Sequence, residues 1–176
     1  MTQSPKVRKM DNHITPYNQL DPAIEARVNA LLAEMTLAEK VGQLVQTNPF
    51  GPFDRDHHDA QKQTAEANGE PFEYFPKLRH DMEDLLRAGG VGSFLNVTLP
   101  KAINYCQRLA VEESRLGIPL MVGSDVIHGY RTIFPIPLAE ASTWNPELLE
   151  RASCVAAEEA SSVGVDWIFA PMVDVA

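Results

Sequence analysis

Pro119-Leu-Met-Val-Gly-Ser124 is a short apolar run that opens directly into Asp125-Val-Ile-His128-Gly129. A run of this length, bounded by Gly117 and a polar loop, reads as a strand covered on both faces. A helix precedes it. Pro100 fits a first helical position, Ile103, Cys106 and Ala110 share one side, and Gly117 ends it. Further back stands a second strand, Val91-Gly-Ser-Phe-Leu-Asn96. Leu78, Met82, Leu85 and Leu86 mark the helix before it, which stops at Gly89-Gly90. Beyond the central strand, an irregular stretch with Pro135 and Pro137 leads to Asn145-Pro146, a helix start. Leu148, Leu149, Ala152, Val155 and Ala156 follow at helical spacing as far as Gly164. Val165 to Val173 is then another buried strand. Alternating helices and strands predict an α/β fold with parallel strands and helical crossovers. An open doubly wound sheet and a TIM-type (β/α)8 barrel share that order. No G-x-G-x-x-G follows a strand, so a dinucleotide site has no support.

Towards the N-terminus, Asp21-Pro22 opens a helix carrying Ile24, Val28, Leu31, Leu32 and Met35. Thr36-Leu-Ala-Glu39 has the capping-box pattern and opens a short second helix, with Val41 and Leu44 facing inward. Leu44-Val-Gln-Thr47 is either that helix's end or the first strand. Residues 1–20 are polar and aperiodic, and read as a flexible arm. Residues 48–76 form a polar excursion with Asn48-Pro49, Gly51-Pro52, the charged run Asp54-Arg-Asp-His-His-Asp59 and Asn68-Gly69. One helix near 59–67 is expected inside it. It is long for a simple connection, so it reads as a functional loop or an insertion.

Hydrophobic residues make up 44% of the chain and charged residues 22%, ordinary values for a globular protein. A net charge of −9 argues against nucleic acid and against an anionic membrane surface as partners. No apolar run approaches the roughly 18 residues of a membrane-spanning helix. The first ten residues carry positive charge but no apolar core, so no secretory signal is read there. Compartment stays open. Cys106 and Cys154 make neither a disulfide framework nor a metal-ligand spacing.

In parallel α/β folds functional groups gather at the carboxyl ends of strands. Asp125 is the first charged residue after the central strand. A carboxylate there accepts two hydroxyl hydrogen bonds, which suits a sugar; capping the turn or pairing with Arg131 are the structural readings. His128 fits a general acid, a general base or a ligand donor, but a histidine pinning its loop through backbone is the commoner case. Arg131 fits a carboxylate-holding role or a loop brace. Asp174 ends the last strand in the same way, and two flanking carboxylates are the minimum kit for glycoside hydrolysis. His57-His58 point in different directions and read as a solvated loop rather than metal ligands. Both cysteines read as buried structural thiols, and Trp144 and Trp167 as core residues before sugar platforms. No Ser stands in a G-x-S-x-G elbow.

Four segments in order resemble glycoside hydrolase family 3, most closely its bacterial periplasmic β-glucosidase type. The first is Ala33-Glu-Met-Thr-Leu-Ala-Glu-Lys-Val-Gly-Gln-Leu44, and the second Gly90-Val-Gly-Ser-Phe-Leu-Asn96. The third is Arg115-Leu-Gly-Ile-Pro-Leu-Met-Val-Gly-Ser-Asp125-Val-Ile-His-Gly-Tyr-Arg-Thr-Ile-Phe-Pro135, and the fourth Trp167-Ile-Phe-Ala-Pro-Met-Val-Asp174. The resemblance implies the N-terminal portion of a TIM-type barrel, over residues 21–176, from a retaining exo-acting β-glycosidase. Asp125 matches the family aspartate that grips hydroxyls of the non-reducing sugar in the −1 subsite, with His128, Gly129 and Arg131 around that pocket. The substrate would be a β-glucoside or short β-linked oligosaccharide, with no cofactor and no metal. The family's nucleophile, acid/base and further sugar-binding Arg and Lys-His match no segment here, so Asp125 and Asp174 are not expected to be nucleophile and acid. The alternative is an inactive half-barrel, acting as a weak sugar-binding or assembly module that self-associates through an uncovered sheet edge.

Overall fold

A computed structural model describes residues 21–172; the expected arm at 1–20, and Asp174, lie outside the described residues. The chain divides into two units, split after Met35. In the first, α1 (Pro22–Glu34) begins where expected: Asp21 accepts a hydrogen bond from the Ala23 N–H, and Pro22 occupies the first turn. Its amphipathic spacing leaves none of its own residues buried.

The second unit contains α2 (Leu37–Gln43), β1 (Gln46–Thr47), α3 (Arg55–Asn68), α4 (Met82–Arg87) and β2 (Ser93–Leu95). It continues through α5 (Pro100–Glu112), β3 (Met121–Ser124), α6 (Pro137–Ala141), α7 (Pro146–Ser161) and β4 (Trp167–Ile168). The four strands make one parallel sheet in the order β1-β2-β3-β4. Strand order follows chain order without a reversal, and helices fill every crossover. A doubly wound sheet needs a reversal at its switch point. This is therefore the N-terminal portion of a TIM-type (β/α)8 barrel.

Period-two alternation divides the sheet into two unlike faces. Phe94 and Val122 are register partners and are 0% and 1% exposed. They pack with Met82 and Leu86 of α4, Leu109 of α5 and Ala160 of α7 in one core. Burying each large side chain contributes about 1.5–3 kcal/mol. The opposite face carries Met121, Gly123 and Trp167, and Met121 is 48% exposed. The expectation of strands covered on both faces therefore holds fully for the helix side and only in part for the other. Ser93 and Gly123 on this second face are nonetheless buried, while Met121 and Trp167 are open.

Several other expectations change. Asp54 accepts from the His57 N–H, so α3 starts at Arg55, inside the charged run. His57 and His58 therefore stand on a helix rather than in a solvated loop. The His58 ring packs edge-on to Phe72, with centroids 5.1 Å apart, and the Tyr74 and Phe53 rings lie nearby. Trp144 is 92% exposed at a left-handed turn residue (φ 52°) between α6 and α7. Trp167 is 41% exposed on the second, partly covered face and packs edge-on to Phe169. Cys106 is buried in α5, but Cys154 is exposed on α7.

The capping box forms as the sequence implies, and its Glu39 does more. Glu39 is nearly buried and takes a two-pronged contact from Arg115, at 2.9 and 2.6 Å. With the Arg115 hydrogen bond as the main cause, aided by Thr36, its carboxyl falls to about 2. Gln107 brackets the entry to β3 by donating to the Leu120 carbonyl and accepting from the Leu120 N–H.

Candidate functional site

Hydrogen bonds lace the carboxyl ends of the four strands into a continuous rim. Asn48, just past β1, donates to the Leu95 carbonyl of β2 at 3.4 Å and accepts from the Phe50 N–H. Asn96, just past β2, donates its N–H to the Gly123 carbonyl, and its Oδ1 accepts from the Ser124 hydroxyl at 3.1 Å. The Phe169 N–H, just past β4, donates to the Ser124 carbonyl. Asn96 holds a left-handed φ of 57°, a conformation asparagine tolerates better than most residues. The rim gives Asp125 a fixed stem on both sides.

Asp125 itself is exposed, and its carboxylate makes no hydrogen bond or ion pair among the described residues. The Asp125–Arg131 pairing that the sequence left open is not formed. Continuing the strand alternation one residue beyond β3 puts Asp125 on the face of Gly123. A Cβ at Gly123 would sit 2.8 Å from the Phe169 ring, so that ring lies directly over the strand. Gln46 reaches the same spot from β1, its Nε2 3.4 Å from that Cβ position.

The chain then turns sharply. Val126, buried and β-branched, has φ 40°, and Gly129 has φ 116°. His128 Nδ1 lies 2.9 Å from the Phe134 carbonyl, and the Phe134 N–H donates to the His128 carbonyl at 2.8 Å. This bond requires the tautomer protonated at Nδ1. The geometry is that of a loop-closing histidine. Arg131 exposes its side chain, while its N–H donates to Glu159 of α7. Thr132 donates both its N–H and its hydroxyl to the same carboxylate. These contacts hold the Glu159 carboxyl below its usual range, the Thr132 hydroxyl being the main cause.

Val126 to Gly129 and Phe134 wall a cavity of about 250 Å³ with Ile168 of β4 and Pro171 beyond it. A larger concavity, about 590 Å³, lies between residues 51–56 and 77–80. It is an open groove of alternating charges, and the strand-end residues just described are not part of it. Among the described residues no His, Cys, Asp and Glu side chains group as a metal site. No helix among them is long and apolar enough to cross a membrane.

Sequence reasoning singled out Asp125, His128 and Arg131, and one loop carries all three. It missed Asn48, Asn96 and Glu159. For the asparagines a signal existed, since each follows its strand as Asp125 follows β3. For Glu159 there was none, because its partners are 27 and 28 residues away in the chain.

The family model described as Glycosyl hydrolase family 3 N terminal domain matches residues 36–176. The periplasmic beta-glucosidase of Salmonella typhimurium is 32% identical over 155 residues, covering 87% of this chain and 17% of that protein. A beta-xylosidase of Formosa agariphila is 34% identical over 88 residues, 45% of this chain and 12% of the other. The solved beta-glucosidase of Listeria innocua in complex with glucose aligns with a TM-score of 0.63 at 30% identity, covering 86% of this chain and 19% of that one. A mutant of that enzyme in complex with laminaribiose aligns with a TM-score of 0.62. The chain thus spans less than a fifth of the length of each of these proteins.

Proposed function

The chain belongs to glycoside hydrolase family 3, and from that premise we propose that it forms the part of a β-glucosidase-like barrel that grips the terminal sugar. The parent reaction is removal of a terminal β-linked glucose, exo-acting and with retention of configuration. Asp125 accepts hydrogen bonds from two hydroxyls of the sugar in the −1 subsite. The single observation that carries this reading is an exposed carboxylate, without a partner among the described residues, on a hydrogen-bonded rim at the end of a parallel strand. Carboxylate–hydroxyl bonds are charge-assisted and short, and bonds to sugar hydroxyls strengthen as the ring distorts toward the transition state.

Asp125 is a substrate-hydroxyl acceptor and moves no proton. His128 commits Nδ1 to its loop, which leaves it a structural part in this reading. The nucleophile and the acid/base are supplied by the parent enzyme outside the matched fifth. A polypeptide of these 176 residues therefore binds sugar without turning it over. No cofactor or metal takes part. The name of the Salmonella relative supports a periplasmic parent.

A second reading, an assembly module, draws support from one observation. Met121 and Trp167 expose apolar surface on the second sheet face, and among the described residues β1 and β4 are the edge strands. Self-association would cover them.

Titration with methyl β-D-glucoside tests the first reading. The wild-type chain is expected to bind saturably and to leave an aryl β-glucoside intact. Losing hydrogen bonds to a charged acceptor costs about 1.5–3 kcal/mol, so Asp125→Asn should weaken binding by roughly 10- to 100-fold. Equal affinity of the two proteins would remove Asp125 from the site. Concentration-dependent mass without sugar binding would favour the assembly reading.

A further inference from the structure

We infer that Glu159 is a positioning residue that fixes the Asp125 carboxylate through the loop after β3, an inference resting on the sugar-binding reading of Asp125. Glu159 lies on α7, whose neighbouring Ala156 and Ala160 are 6% and 1% exposed, so the helix is anchored in the core. Its carboxylate collects three donors from two consecutive residues. The Arg131 and Thr132 N–H groups reach Oε2 at 2.8 Å each, and the Thr132 hydroxyl reaches Oε1 at 2.6 Å. Successive backbone N–H groups converging on one point form an anion-binding nest. Here the chain fills the nest with its own carboxylate.

This tie has a consequence at Asp125. Val126, the next residue, is held at φ 40°, a conformation that β-branched residues rarely adopt. Such a conformation persists only when its surroundings over-determine it. Two contacts hold the segment that follows. The His128–Phe134 pair closes the loop's base, and Glu159 pins residues 131–132 to the helix. The same helix leads into β4, whose exit residue Phe169 bonds the Ser124 carbonyl. One crossover therefore clamps the Asp125 stem from both sides. Without the Glu159 carboxylate only the His128–Phe134 pair holds the segment, so Val126 relaxes toward negative φ a larger share of the time and the adjoining Asp125 leaves its place on the rim more often.

The experiment follows backbone amide signals of the full chain while methyl β-D-glucoside is added, together with amide exchange at Arg131 and Thr132. Glu159→Gln keeps the size but offers one acceptor oxygen and a donating amide to three donors. Exchange at residues 131 and 132 should accelerate at least tenfold, and the glucoside Kd should rise about five- to tenfold, with the amides of α5 unaffected. Asp125→Asn should lose the sugar response and leave exchange at 131 and 132 unchanged. If Glu159→Gln speeds exchange yet binds sugar as wild type does, while Asp125→Asn does not, Glu159 is only a loop tie and the inference falls. If the wild-type chain gives no saturable response, or Asp125→Asn binds normally, the reading of Asp125 falls and takes the inference with it. Should Glu159→Gln fail to fold, Thr132→Val removes one donor of the three, and a Kd raised about twofold is expected. An unchanged Kd in that variant would overturn the inference.

Discussion

Gly42→Ala opposes two effects whose sizes differ enough to decide the outcome. Gly42 is buried in α2. In a helix interior, Ala is favoured over Gly by about 1 kcal/mol, so local propensity predicts a more stable protein. The tertiary structure predicts the reverse. A Cβ on Gly42 would stand 2.1 Å from the Gly89 carbonyl oxygen and 2.8 Å from the Gly90 Cα. Those atoms are backbone, in the turn joining α4 to β2, and no side-chain rotation relieves the contact. Separating the segments means pushing α2 off the turn by about 1 Å, and overpacking of this kind costs about 1–3 kcal/mol. A clash against backbone belongs at the upper end of that range. The net expectation is a loss of about 2 kcal/mol, or a Tm lower by roughly 4–8 °C in a domain of this size. Gly51→Ala is the control, since its Cβ would meet nothing closer than 3.7 Å and the change should be nearly neutral. Thermal and urea unfolding of both variants, followed by circular dichroism, gives the two numbers. A Gly42→Ala protein as stable as wild type, or more so, would refute the close α2–turn contact.

Three further outcomes are expected. Phe94→Ala removes the largest fully buried side chain among the described residues and should cost about 3–5 kcal/mol in urea unfolding, against less than about 1 kcal/mol for Val111→Ala on the exposed side of α5. The Glu39 carboxyl is lowered from 4.5 to about 2 in the folded protein, so its contribution to stability is complete above the ordinary value and fades as pH falls toward about 2. The Tm difference between wild type and Glu39→Gln should therefore hold from neutral pH down to about 5 and shrink across that acidic window; a difference independent of pH would argue against the Arg115 contact. Burial pushes the Cys106 thiol up to about 12 while Cys154 stays exposed, so a thiol reagent should modify one cysteine in the native chain and two in urea. Two fast-reacting thiols in the native protein would contradict the packing of α5.

Local signals reached as far as local causes did. Proline at the first turn and the side-chain caps at Asp21, Thr36 and Asn145 place the starts of α1, α2 and α7, because each satisfies helix-end N–H groups within its own segment. The start of α3 was hidden because its cap, Asp54, sits inside a charged run that reads as loop. β1 and β4 are two residues each, too short for a period to show, and their pairing comes from neighbouring strands. Trp144 and Trp167 mislead for a related reason. Large apolar residues lower the odds of exposure, but a left-handed turn and a partly open sheet face decided these two. At the candidate site, Asp125 was legible because the strand-end rule depends only on where an apolar run stops. Glu159 was not, because it occupies an ordinary polar position on a helix and meets its donors only after the crossover folds back.

A crystal of the chain soaked with glucose tests the role of Asp125 most directly. The expected map shows the sugar at the carboxyl end of β3, with two adjacent hydroxyls about 2.5–3.0 Å from the Asp125 carboxylate. Glucose bound elsewhere on the chain, with the Asp125 carboxylate making no contact to it, would contradict the sugar-gripping role.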